Sequence, residues 1–583
     1  MDRNTQALWE IFTQKLLGGN IMKKRKTLRI LATVLSLVIV IGLVAACGPG
    51  DTADAPADTG VAPGGTTPAA PPPVDAGQEA PMEVAPPPEG ANLADHIDII
   101  VDATPITVLN INLPAGATAT TSQIYNLVQN RLMANRGGPN WPDPELAVSW
   151  HTDDLQTIRL ELRQGVYFHN GARFTADDVA FTVEISHANP GGTAFARWRE
   201  VDRVEIIDDY TADLILVEPN LDWRYVLSHW ATPILSRQAY LDNPDDPVAW
   251  GSVGTGPFRV TGFSTANFVN LERNDDYWGD IPPTRSMTFW TIPEMATRTV
   301  MMQNGQAQVS MLMEPSDLDL LEADANFTVL RHEGWLNALS FNFMGDEIQR
   351  CPYFRRAVAH AINVDDVAIV ANGQWALPTP DGNIWGLVTP HRLEGLPRRE
   401  YDVALAMDYL ERSVYDGRTI AMRVAGDAVI RAANLIQVQL SMVGIDVDVI
   451  IMDVPSWIDA HAWGHELETW VFGVAAGPSA ISYVTGILAP NIGTNRSNIN
   501  DPYFSALIER FMVETDDNAA REIAHDMQRW LYDDLVIIPL FNGINGIPIV
   551  QGVGGLHLWG NMFTYCLRGI YWDLNQTPEA LRP

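Results

Sequence analysis

The lysines decide most of the covalent chemistry. All four (Lys15, Lys23, Lys24 and Lys26) lie in the first 26 residues of a 583-residue chain. A phosphate-cradling loop needs a lysine against the β- and γ-phosphates, and imine chemistry needs an amine nucleophile. Neither can operate downstream of Lys26. The patterns HExxH, G-x-S-x-G and CxxC and the EF-hand loop are absent too, so no catalytic signature remains. His461 and His465, four apart beside Glu466, have a spacing that can hold a metal. The same trio is common on an acidic surface, and we assign no metal and no cofactor. Stacking chemistry is better supplied, because 17 of the 18 tryptophans follow residue 46. Indole faces stack on sugar rings and organic cations, and the N–H fixes orientation. About two thirds of them, Trp150 and Trp278 included, are expected to fill core volume.

Charge narrows the partners. The chain carries 38 basic and 71 acidic side chains, a net −33. Residues 1–46 hold seven of the basic and two of the acidic groups, so the remainder is more acidic still. Such a body repels a phosphate backbone, and a nucleic-acid partner is excluded. Cys351 and Cys566 could pair in an oxidising compartment, but 215 positions separate them. Buried thiols are the expected state.

The address is written at the start. Met22-Lys-Lys-Arg-Lys-Thr-Leu-Arg29 is basic, Ile30–Val44 is an apolar run of 15, and small residues follow. That is the pattern of an export signal. Fifteen helical residues reach about 22 Å, short of a ~30 Å hydrocarbon core. Val44-Ala-Ala-Cys47 resembles a bacterial lipoprotein signal, which implies cleavage before Cys47 and a lipid on its sulfur. Residues 1–21 precede a plausible start at Met22 and receive no role. Residues 48–92 hold 11 Pro, 10 Ala and 7 Gly, with no aromatic. They cannot bury enough surface to order themselves and read as a tether, roughly 35–40 Å across as a coil.

From about Asn92 the pattern becomes α/β. Thr157–Arg163 alternates, with Ile158, Leu160 and Leu162 on one face. Asn170-Gly171 is a tight-turn pair. Thr175-Ala-Asp-Asp178 starts a helix with Val179 and Val183 facing inward. Pro352 opens another, whose stripe is Phe354, Val358, Ala361 and Ile362. Residues 431–443 read as a helix stopped by Gly444, and Ile445–Ile451 as a strand.

Pro144-Glu-Leu-Ala-Val-Ser-Trp150, Leu162-Arg-Gln-Gly-Val-Tyr-Phe-His-Asn-Gly171 and Phe174-Thr-Ala-Asp-Asp-Val179 occur in order. Val253-Gly-Thr-Gly-Pro-Phe258, Leu271-Glu-Arg-Asn-Asp-Asp-Tyr-Trp-Gly279 and Phe354-Arg-Arg-Ala-Val-Ala-His-Ala-Ile362 follow, and then Gln437, Leu440 and Gly444-Ile445. From about residue 98 to 570 the chain resembles the peptide/nickel-type (family 5) extracytoplasmic solute-binding proteins of ABC importers. The resemblance implies an α/β, two-lobed periplasmic-binding-protein-like (Venus flytrap) fold with an extra domain inserted in the first lobe. By position, a signal occupies 22–46 and the anchored linker 47–92. Lobe one is 93–335 with its insertion at about 131–250, lobe two is 336–545, and 546–583 return to lobe one. The blocks themselves are read as structural, with Gly254 and Gly256 permitting turns and Arg273 pairing locally.

The resemblance places the solute between the lobes. Two loops are candidates there: Asn372–Trp385, carrying Trp375 and Trp385, and Trp470–Ala480, carrying Gly477 and Ser479. Trp375, Trp385 and Trp470 are candidate pocket walls, and Asn342 a candidate polar contact. Peptide-binding relatives hold the peptide ammonium with an Asp-Pro pair where this chain reads Gly477-Pro478-Ser479. That substitution tilts the expectation toward a non-peptide solute such as an oligosaccharide. The implied function is the substrate-binding component of an ABC importer, a non-enzyme and a monomer. It would be lipid-anchored through Cys47 on the extracytoplasmic face and deliver a peptide-like or oligosaccharide-like solute to permease subunits. A sensor without transport and a glycan hydrolase using paired carboxylates are the alternatives.

Overall fold

A computed structural model describes residues 86–101, 106–113, 116, 119–134, 142–311, 313–343, 347–385, 391–452, 469–474, 499–561 and 564–583. The signal, residues 48–85 of the tether, Cys47, His461, His465, Glu466, Gly477 and Ser479 lie outside the described residues, while Asn92 N–H, at the end of the expected tether, donates to Asp573 Oδ1 at 3.0 Å.

Local patterning carries most elements. Thr157–Leu162 is a strand with Ile158, Leu160 and Leu162 buried and Arg159 and Glu161 exposed. Gly171 takes φ +84° in the turn that brings Phe168 N–H to Ala172 O at 2.8 Å, a conformation glycine adopts without strain. The helix Ala176–Ala188 starts at Thr175, whose N–H donates to Asp178 Oδ2 at 3.0 Å. Both belong with a four-stranded antiparallel sheet, ordered Ala147–His151, Thr157–Leu162, Thr211–Leu216, Val201–Asp208. Its core holds Phe168, Phe174, Trp198, Trp223 and Trp230, with Trp150 and Trp278 packed half-buried against it.

Among the described residues the main sheet has eleven strands. Across it run Val447–Ile451, Ile420–Val424, Thr469–Val474, Phe327–Phe341, Ile537–Val550, Val309–Ser310, His96–Val101, Ser286–Thr291, Phe268–Arg273 and Phe258–Ser264. Ala376–Pro378 pairs beside Ile537–Val550. Parallel pairs occur in both halves, His96–Val101 with Ser286–Thr291, two strands in from one edge, and Ile420–Val424 with Val447–Ile451 at the other edge. Helices cover them, as parallel strands require.

The helix Pro352–Ala361 has proline in its first turn and buries Phe354, Val358 and Ala361. Asp427–Met442 starts earlier than the expected residue 431, with Gly426 as cap at φ +88°. Gly444, at φ +93°, stops it, and Ile445 N–H turns back to Leu440 O at 3.0 Å. That turn uses Ile445, so the strand starts at Val447.

Two cores flank the sheet. The first packs Ile97, Ile99, Phe258, Phe289, Ile570 and Trp572 around the helix Ala119–Val128. The second packs the helices Pro352–Ala361, Val364–Asn372 and Asp427–Met442 on Ile420–Val424. Cys351 lies at the edge of the second core and Cys566 in the strand Thr564–Cys566. The two are not joined, and each is a half-buried thiol where a fully buried one was expected.

Candidate functional site

Two long antiparallel strands, Phe327–Phe341 and Ile537–Val550, run from one core into the other. Phe327, Ile547 and Val550 serve the first core, while Leu339, Phe341, Leu540 and Phe541 serve the second. Their register shifts between Glu333 and Leu336, opposite Ile544 and Asn542. A bulge of this kind bends and twists the ladder locally. Gly334 there faces Gly543 O, which a Cβ would approach to 3.1 Å. The two strands form the crossing between the halves.

Trp375, Trp385, Asn342 and the backbone of Trp470 have definite places, while Gly477 and Ser479 lie outside the described residues. Trp375 is fully buried, with its Nε1–H donating to Asp319 Oδ1 at 2.7 Å. Trp385 is 1% exposed in a separate cluster with Leu336, Phe504 and Met527. As placed, these two indoles do not share a wall and offer no open face. Asn342 is fully buried at the end of Phe327–Phe341. Trp470 pairs in register with Ser340, two residues before Asn342. The structure therefore brings Trp470 and Asn342 to one strand end and leaves Trp375 and Trp385 apart from each other.

The sequence reading missed a buried polar centre in the first half. Asn130 gathers the motif blocks. Its Nδ2 donates to Glu145 Oε1 at 2.7 Å, while Thr255 Oγ1 and Trp278 Nε1 donate to its Oδ1 at 3.0 and 3.3 Å. Glu145, fully buried, also accepts from Arg131 N–H at 2.9 Å and Arg568 at 2.9 Å. Burial pushes the Glu145 carboxyl up, but the charges of Arg568 and Arg131 and the hydrogen bonds outweigh it, to about 2. Gly254 and Gly256 matter here by absence of bulk, not as turn formers. A Cβ on Gly254 would stand 2.0 Å from Val128 O.

Beside this centre lies a set of donors. Arg131 donates to Asn126 Oδ1 at 2.6 Å, and Asn126 Nδ2 has no partner among the described residues. His229 Nδ1 accepts from Ala231 N–H at 3.0 Å, leaving the proton on Nε2, which has no partner among the described residues either. Burial first, then the charges of Arg197 and Arg131, hold His229 well below the ordinary imidazole pKa. Tyr225 and Trp230 flank it at 5.2 and 5.5 Å. Buried donors lacking acceptors are costly unless something supplies them, and a carboxylate or amide carbonyl has that chemistry. The only sequence signal was Ser228-His-Trp230, which carries no periodicity. Among the described residues, no group of three or more His, Cys, Asp or Glu could hold a metal.

Residues 142–492 match the bacterial extracellular solute-binding proteins, family 5 middle region. The glutathione-binding protein GsiB of Salmonella typhimurium is 26% identical over 311 residues, 52% of this chain and 59% of that protein. GsiB of Shigella flexneri is 26% identical over 312 residues, with the same coverage. The chain thus spans little more than half the length of the curated relatives it matches. Among solved structures, the ABC transporter substrate-binding protein CtaP of Listeria monocytogenes aligns with a TM-score of 0.73 at 20% identity. That alignment covers 82% of this chain and 100% of CtaP. DppA of Helicobacter pylori, in complex with the peptide STSA, gives 0.67 at 22% identity, covering 82% and 98%. NikA of Brucella suis, in complex with Fe(III)-EDTA, gives 0.71 at 19%, covering 81% and 99%. The fold is the two-lobed one of these binding proteins, and the chain belongs to the family 5 bacterial extracellular solute-binding proteins.

Proposed function

We propose that this chain captures a small, peptide-like solute between its two halves and delivers it to the permease subunits of an ABC importer. The observation that carries the reading is the pair of hinge strands passing from one core to the other. A solute touching both halves only when they close favours closure by its differential affinity for that state. Shifting the population from 1:99 to 99:1 takes about 10⁴-fold tighter binding to the closed form. No covalent step is required of the chain.

In this reading lobe one comprises 93–335 and 546–583 with its insertion near 131–250, and lobe two comprises 336–545. Asn126, Arg131 and His229 supply donors for a solute carboxylate, while Trp470, Asn342, Gly477 and Ser479 serve from the other side. Cys47 carries the lipid, and residues 48–92 tether the body to the membrane. The glutathione of the GsiB relatives and the peptide STSA bound to DppA favour a peptide-like solute. Gly477-Pro478-Ser479 keeps the oligosaccharide alternative in the test.

The experiment is a thermal-shift and small-angle scattering panel of reduced glutathione, dipeptides, tetrapeptides and maltooligosaccharides. One class should raise the melting temperature by mass action and lower the radius of gyration. If no class does so while one is chemically transformed, the reading fails.

A further inference from the structure

Trp375 departs from the segment that carries it. The helix Val364–Asn372 packs Val364, Val367, Ala368 and Ala371 into the second core, and Ala376 returns there. Trp375, between them, is buried in the first core. It lies over the hinge strand at Gly546, where an added Cβ would stand 3.0 Å from Trp375 Cζ3 and 2.6 Å from Leu318 Cδ1. Only glycine leaves that space. The indole N–H bonds to Asp319 on the helix Pro315–Glu322. The guanidinium of Arg331, on the other hinge strand, covers the ring at 4.0 Å. Gln374 donates to Asp319 at 2.6 Å and to Glu322 at 3.1 Å, and Arg331 pairs with Glu322 at 2.8 Å. Elements serving the first half therefore grip two consecutive residues borne by the second.

We propose that Trp375 is the positioning residue of the hinge, a pin held in the first half about which the second half turns. The grip of Asp319 and Arg331 on this pin sets how far the halves stand open without solute. Translation of one half past the other would draw the indole out of its core, so rotation is the motion left. The proposal rests on the hinge-closure reading above and adds to it the residue that governs the opening.

The test compares the full chain with Trp375→Phe, Asp319→Ala and Asp319→Asn, all solute-free. Phenylalanine keeps an aromatic ring and loses the N–H; asparagine keeps an acceptor for both Gln374 and Trp375. Amide exchange at 331–336 and 541–546 should accelerate about ten- to hundredfold in W375F, which loses one hydrogen bond to a charged acceptor, and at least as much in D319A, which loses those of both Trp375 and Gln374. Their radius of gyration should rise, exchange in His96–Val101 and Ile420–Val424 should stay as in the parent, and D319N should behave as the parent. Unchanged hinge exchange, or acceleration spread evenly over all four segments, overturns the proposal. Failure of the closure reading looks different: the parent chain would scatter identically with and without every solute in the panel. The solute-free exchange comparison decides the pin in either case.

Discussion

Glu145 illustrates how one residue can hold distant parts of the chain together. Replacing it with glutamine keeps the shape and leaves Arg131 and Arg568, both buried, facing a neutral amide. Breaking a buried pair in this way costs about 3–5 kcal/mol, so the urea midpoint of E145Q should fall with its slope unchanged. Its carboxyl sits near 2 against 4.5 for the ordinary group. The stability it contributes is complete above about pH 4.5 and is lost as pH falls toward 2. His169 acts at higher pH. Burial lowers it from 6.5 to about 4, over the raising effect of its bond to Gly256 O; the charge of Arg259 lowers it further. Between those values the unfolded chain binds the extra proton, so this contribution grows as pH rises from about 4 to 6.5. Asp178 has the opposite sign, because burial raises it from 3.8 to about 6. His169→Asn should therefore make that rise shallower, while His229, also held low by burial, keeps its own contribution. Unfolding free energy measured from pH 4 to 6 in the variant and the parent checks this, and an unchanged slope would refute the assignment.

At the scale of elements, glycines separate two kinds of close approach. At Gly254 an added Cβ meets the backbone oxygen of Val128, which cannot turn aside. At Gly546 it meets the ends of the Leu318 and Trp375 side chains, which can adjust by small rotations. Gly546→Ala should cost about 1–3 kcal/mol, the usual range for overpacking, and Gly254→Ala more than about 3 kcal/mol. Denaturant unfolding of both variants checks the order, and a reversed order would refute it. The same contrast explains what the sequence made legible. Thr157–Leu162 and Pro352–Ala361 are half-buried elements, so their periods of two and 3.6 appear directly in the residue types. Ile537–Val550 was not readable as a strand, because Pro539, Asn542, Gly543, Asn545, Gly546 and Pro548 are turn-forming types. They are tolerated where the ladder slips register and Trp375 needs room. Asn130 has no local pattern at all, since its role comes from Glu145 fifteen residues on and from Thr255 and Trp278, more than 100 residues away. Trp375 and Trp385 were visible as tryptophans in a loop, but which core each enters depends on contacts the chain forms only once folded.

For the whole molecule, acidity and anchoring bear on the same question of how the body meets a membrane. Its excess of acidic groups and the anionic lipids of a bilayer repel one another, with a range of about 8 Å at physiological ionic strength. Direct adsorption is therefore disfavoured, and among the described residues no helix is long and apolar enough to cross a membrane. In the proposed reading the lipid on Cys47 holds the chain at the membrane, where each buried CH₂ contributes about 0.8 kcal/mol and more than one acyl chain is needed for a lasting hold. In the proposed reading, a tether spanning residues 48–92 would let the body stand clear of the repelling surface while staying within reach of a permease. Cys47→Ala should then move the protein from the membrane to the soluble fraction, without changing its melting temperature or the shift produced by whichever solute binds. Raising the salt concentration should not release the parent protein, because the anchor is apolar. Release by salt, or membrane retention of the alanine variant, would show that a charged contact or the uncleaved leader holds the chain instead.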